Sequence, residues 1–101
     1  MKESQLEGRL VRGIRAMGGK AYKFVSPGNV GVPDRIVILP GGRILFAELK
    51  ADGGRLSAGQ LMQIKELRRL GAEVYEVWGA SGVDSFLGMC REKIQAREAA
   101  Q

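Results

Sequence analysis

The chain has 101 residues, 45% of them apolar, with a formal net charge of +5 and a sequence pI near 9.8. It holds no histidine and one cysteine, Cys90; that excludes histidine acid–base catalysis, Ser-His-Asp triads, an internal disulfide and zinc sites built on His or Cys. Any metal must then be held by oxygen, as magnesium, manganese and calcium are, and the basic balance points to a polyanionic partner, most commonly nucleic acid.

This length makes one domain, 1–101, close to the size at which a second copy aids stability. No apolar run reaches the roughly 18 residues of a membrane span. The opening MKESQLEGRL lacks a secretory apolar segment. No membrane partner is expected, and a lone thiol suits a reducing cytoplasm.

In chain order, Leu6, Leu10, Ile14 and Met17 recur at helical spacing over residues 4–17. Ser4 and Glu7 have the spacing of a capping box, with Ser4 as N-cap, and Gly18-Gly19 closes the helix. KAYKFV (20–25) alternates as a strand. After the loop SPGNVGVP come two apolar runs, RIVIL and RILFA, around the turn Pro40-Gly41-Gly42, which is the pattern of a β-hairpin. Ser57 is placed to cap a helix over AGQLMQIKELRRLG, which Gly71 ends. EVYEVW (73–78) reads as a fourth strand, and residues 81–100 as a last helix whose polar end, 95–101, is expected to fray. The order α-β-β-β-α-β-α, with a right-handed crossover into the fourth strand, predicts an α/β fold: a mixed sheet flanked by helices.

Charged residues stand where this hairpin should be apolar. Asp34 precedes the first run, and Glu48 and Lys50 fall on one face of the second, ~6–7 Å apart at ~3.3 Å per residue. A two-residue turn sets Arg35 opposite Glu48, whereas a three-residue loop pairs Leu39 with Arg43 and sets Asp34 opposite Glu48. The sequence leaves both registers open. Should the two carboxylates meet, their repulsion favours protonation or a bridging divalent cation with open water positions. Lys50 would then help activate the attacking water or hold a phosphate oxygen, which is the equipment of metal-assisted phosphodiester hydrolysis. Taken singly, Glu48 with Lys50 is an ordinary ion pair and Pro-Asp an ordinary turn opener. Two further polar residues border apolar helical faces. Glu7 either completes the capping box or joins the site. Gln60 shares a face with Ile64 and Leu67, and needs a partner if buried.

GVPD, FAELK and GGRLSAGQ together resemble the PD-(D/E)xK nuclease superfamily, and within it the virus-type replication-repair nuclease (VRR-NUC) domain family. The resemblance implies a restriction-endonuclease-like fold over essentially the whole chain. It implies Asp34 and Glu48 as metal ligands with the Leu49 backbone carbonyl, Lys50 as the residue that orients or activates water, Glu7 supporting the metal directly or through water, and Gln60 beside the same site. The implied cofactor is Mg2+ or Mn2+, with no small-molecule cofactor. The implied activity is that of a metal-dependent DNA endonuclease.

A lone domain of this kind is similar to the standalone phage and bacterial versions. These imply a homodimer cutting branched DNA such as Holliday junctions during repair, in the cytoplasm of a bacterial or phage-infected cell. Lys23, Arg35 and Arg55 are the expected phosphate contacts. Arg9, Arg12 and Arg15 are read as a solvated helix face, and Tyr22, Tyr75 and Trp78 as core. Cleavage of plain duplex, flaps or single strands fits the same residues. A DNA-binding module without catalysis, or a protein-interaction domain, are the readings from other classes.

Overall fold

In the computed structural model, which describes residues 1–101, the first helix, α1 (Glu3–Ala16), begins one residue earlier than Ser4. Lys2 is its N-cap, and the Lys2 backbone N–H donates to Gln5 Oε1 at 2.8 Å. Ser4 therefore lies inside the first turn and the expected Ser4–Glu7 capping box does not form. Gln5, three residues after Lys2, does that work instead and leaves the Glu7 carboxylate free for another partner. Leu6, Leu10 and Ile14 have no exposed surface, and Gly18, at φ +88°, ends the helix.

The strands β1 (Lys20–Lys23), β2 (Arg35–Ile38), β3 (Ile44–Lys50) and β4 (Val74–Trp78) form one sheet in the order β1-β2-β3-β4. The first two pairings are antiparallel and β3–β4 is parallel, with α2 (Ala58–Arg69) as the crossover. The last helix, α3, runs Gly79–Ala99, so residues 95–99 continue it where a frayed end was expected. Its Arg97 side chain lies against the Gly41 turn.

Alternation along β3 sorts the sheet into two faces. Leu45, Ala47 and Leu49 are fully buried and join Val37, Val77, Ala21 and the apolar stripes of α1 and α3 in one core. Burying each such large side chain contributes about 1.5–3 kcal/mol. Ile44, Phe46, Glu48 and Lys50 point to the other face. There Ile64 and Val74 are buried outside that core, as a smaller second layer where α2 meets β4.

The hairpin takes the longer loop. Leu39 N–H donates to Arg43 O and Gly42 N–H to Leu39 O, both at 2.9 Å. Gly41 and Gly42 sit at φ +93° and +89°, a region that a side chain would strain. The register Arg35↔Ala47, Ile36↔Phe46, Val37↔Leu45, Ile38↔Ile44 follows. One step beyond its end lies Asp34 opposite Glu48.

Candidate active site

Asp34 and Glu48 meet at the end of the hairpin away from its turn. The Leu49 backbone N–H donates to Asp34 Oδ2 at 2.8 Å, which holds that carboxylate against β3 between Glu48 and Lys50. Glu48 is 1% exposed, and neither Oε1 nor Oε2 has a hydrogen-bond donor. A buried carboxylate left so is costly. Burial first, and then the Asp34 charge beside it, push the Glu48 carboxyl up to about 8, against the opposing pull of Lys50. Lys50 is half-buried, on the same face, and takes part in no ion pair; its aliphatic stem runs beside Gly54.

Three further expected site residues have partners of their own. The register that brings Asp34 to Glu48 turns Arg35 to the α1 face, because neighbouring strand residues alternate. Arg35 is 17% exposed in its side chain, donates to Ala21 O, and pairs with Glu7 Oε1, both at 3.3 Å. Its guanidinium is turned toward α1. Glu7 is held by Arg35, and no three acidic side chains gather into one metal-binding cluster. Gln60 completes a capping box: Ser57 Oγ accepts from Gln60 N–H at 3.1 Å, and Ser57 N–H donates to Gln60 Oε1 at 2.8 Å. Its amide oxygen is thus committed to the α2 terminus. Lys23 is exposed at the site end of β1, paired with Arg35, and Arg55 is exposed on the loop after Lys50.

Two features escaped the sequence. In the parallel β3–β4 register Glu76 stands beside Glu48, its carboxylate 3.5 Å from Arg68. Tyr22, counted as core, is 46% exposed. Period-two alternation in KAYK does place Tyr22 opposite in face to the buried Ala21, and this was the available signal.

The donor set fits a divalent cation on one structural ground: Glu48 presents two buried oxygens with nothing to accept from, one residue-step from the Asp34 carboxylate. Asp34, Glu48 and the Leu49 carbonyl are the groups that would hold it. The mixed four-stranded sheet with its three helices is a restriction-endonuclease-like α/β fold. No family model matches the chain. It is 49% identical over 74 residues to "Putative nuclease p44" of Acyrthosiphon pisum secondary endosymbiont phage 1, spanning 73% of this chain and 80% of that protein. A solved VRR_NUC domain superposes at a TM-score of 0.81 with 31% identity, covering 87% of this chain and 96% of that one. A second solved structure, a VRR_NUC domain protein, shares the fold at TM-score 0.62 and 20% identity, over 87% and 86% of the two chains. The chain belongs to the VRR-NUC domain family.

Proposed function

We propose that the protein is a Mg2+- or Mn2+-dependent endodeoxyribonuclease that hydrolyses phosphodiester bonds at the Asp34–Glu48–Lys50 site. The observation that carries this is the Glu48 carboxylate, wholly buried, without a donor, and set beside a second carboxylate. When bound, a divalent cation supplies Lewis acidity toward water and phosphate oxygen. Asp34, fixed by the Leu49 N–H, and Glu48, fixed by its central strand, would hold that ion. The Lys50 ammonium, unpaired and on the same face, aligns the attacking water and meets the negative charge that grows on the phosphate. Glu7 acts through Arg35, tying α1 to β2 beneath Asp34. Gln60 keeps the first turn of α2 in place at the border of the site.

Substrate and assembly are part of the same reading. Branched DNA such as a Holliday junction suits a homodimer, with one site per strand related by a two-fold axis. The sheet supports that geometry, since β4 is an edge strand. An apolar hollow of about 290 Å³ flanks it, lined by Tyr75, Val77, Trp78, Phe86 and Met89 among others. Antiparallel pairing of two β4 edges would cover both hollows and leave the catalytic ends free.

The test is a cleavage gel on labelled four-way junction, flap, duplex and single-stranded DNA with Mg2+, Mn2+ or EDTA, beside the protein's mass in solution. Paired symmetric nicks in the junction by a dimer are the expected result. Cutting of the other substrates with the junction spared would remove the branch preference. Salt-sensitive binding with no cutting of any substrate would make the chain a binding module.

A further inference from the structure

We propose that Lys20 and Tyr22 form a subsite for an unpaired nucleotide of the DNA strand, its base packed on the Tyr22 ring and its phosphate on the Lys20 ammonium. This rests on the nuclease reading and adds a second recognition point on the same face of the sheet.

Strand parity places the subsite. Tyr22 pairs with Ile36 and Ile36 with Phe46, while Lys20 pairs with Ile38 and Ile38 with Ile44. Lys20, Tyr22 and Phe24 therefore share the face of Phe46 and Glu48. Phe24 N–H donates to Asp34 O at 2.9 Å, so the row ends at the site itself. At ~4.8 Å between strands and ~3.3 Å per residue, Tyr22 stands ~12 Å from Glu48, one or two nucleotides along an extended strand.

The chemistry of the patch fits such a ligand. Of six aromatic residues, Tyr22 alone is exposed. Lys20 Nζ rests 4.5 Å from its ring centroid. A cation–π contact at an exposed site contributes only about 0.5–1 kcal/mol, so moving the ammonium from the ring to a phosphate costs little. Tyr22 and Lys20 line a hollow of about 210 Å³ walled by Ile38, Leu39 and Pro40. That is room for a ring system, where one water takes about 30 Å³. A neighbouring hollow of about 300 Å³ shares Lys20 and adds the unpaired Arg15. No acidic residue lines either one. A base finds an aromatic ring and apolar walls there, its phosphate finds the Lys20 ammonium with no carboxylate opposing it, and only a base free of its duplex stack can lie on a ring set into a sheet face.

The experiment measures binding of labelled oligothymidylate and of blunt duplex in EDTA or Ca2+, by anisotropy over a range of salt. Tyr22→Ala should weaken oligothymidylate binding roughly 10-fold and leave duplex binding unchanged, with an unaltered melting temperature. Tyr22→Phe should bind as the wild type. Lys20→Ala should reduce the slope of log affinity against log salt by about 0.7 for the single strand. Wild-type affinity of Tyr22→Ala for the single strand, or an equal loss on both DNAs, would overturn the subsite and leave the nuclease reading standing. Failure of the wild type to bind any DNA would remove both.

Discussion

A carboxylate buried at the centre of a sheet is a cost to the fold. Glu48 sits where Leu45, Ala47 and Leu49 show the strand to be made for burial, and it has no donor. Its folded pKa, about 8, lies above the ordinary carboxylate value. The sign follows from linkage: a raised carboxyl binds its proton more tightly when folded, so its cost is absent below about pH 4 and grows as pH rises toward 8. In EDTA, Glu48→Gln should therefore melt above the wild type at pH 8, with the gap closing toward pH 5. At ~4–8 °C per kcal/mol for a domain this size, the gap is measurable by calorimetry. Equal melting at both pH values would mean that Glu48 is not strained. Glu7 gives a second case. Acting through Arg35, its Glu7→Gln variant should lose stability, about 1 kcal/mol, while turnover falls only severalfold. Abolished turnover with an unchanged melting temperature would return Glu7 to the metal site.

At the scale of elements, the junctions hold the site in shape. Parallel β3 and β4 end together at Lys50 and Trp78, and Gly79 follows at φ +65° as the first residue of α3. A Cβ on Gly79 would fall inside the Asp52 carboxylate, two residues past Lys50. Gly79→Ala should therefore lower the melting temperature and slow cleavage by displacing the loop that leaves Lys50. Adding Asp52→Ala should recover part of both losses, the steric part, and leave the ~1–2 kcal/mol of left-handed backbone strain. No recovery in the double variant would place the damage in the backbone alone.

The same scale separates what was legible in the chain from what was not. Gly18, Gly71 and Ser57 mark helix ends by local chemistry, and the structure has them there. The meeting of Asp34 with Glu48 hung on a turn of two or three residues, which PGG permits equally. Tyr22 shows the limit of local pattern: alternation in KAYK sets it on the face opposite Ala21, but which of the two faces the helices cover is decided by packing across the whole sheet.

Charge divides the whole molecule. Around β4 and α2 most cations are paired, Arg43 and Lys93 with Glu73, Arg68 with Glu76 and Arg69 with Glu66. Exposed pairs of this kind contribute little stability. Along α1 and β1, Arg12, Arg15, Lys20 and Lys23 have no acidic partner, and Arg55, on the loop after Lys50, has none either. DNA affinity should fall steeply with salt, with a slope near −0.9 per phosphate contacted on duplex.

The most direct measurement compares the wild type with Lys50→Ala on one labelled DNA, in Mg2+, Mn2+ and EDTA, with DNA binding followed in parallel. Lys50 is part of no ion pair and half-exposed, so the variant should fold and bind DNA nearly as before. Cleavage by the wild type should require the metal, and the variant should lose at least ~100-fold in rate. Cleavage in EDTA, or a variant that cuts at the wild-type rate, would contradict a cation-dependent site built from Asp34, Glu48 and Lys50.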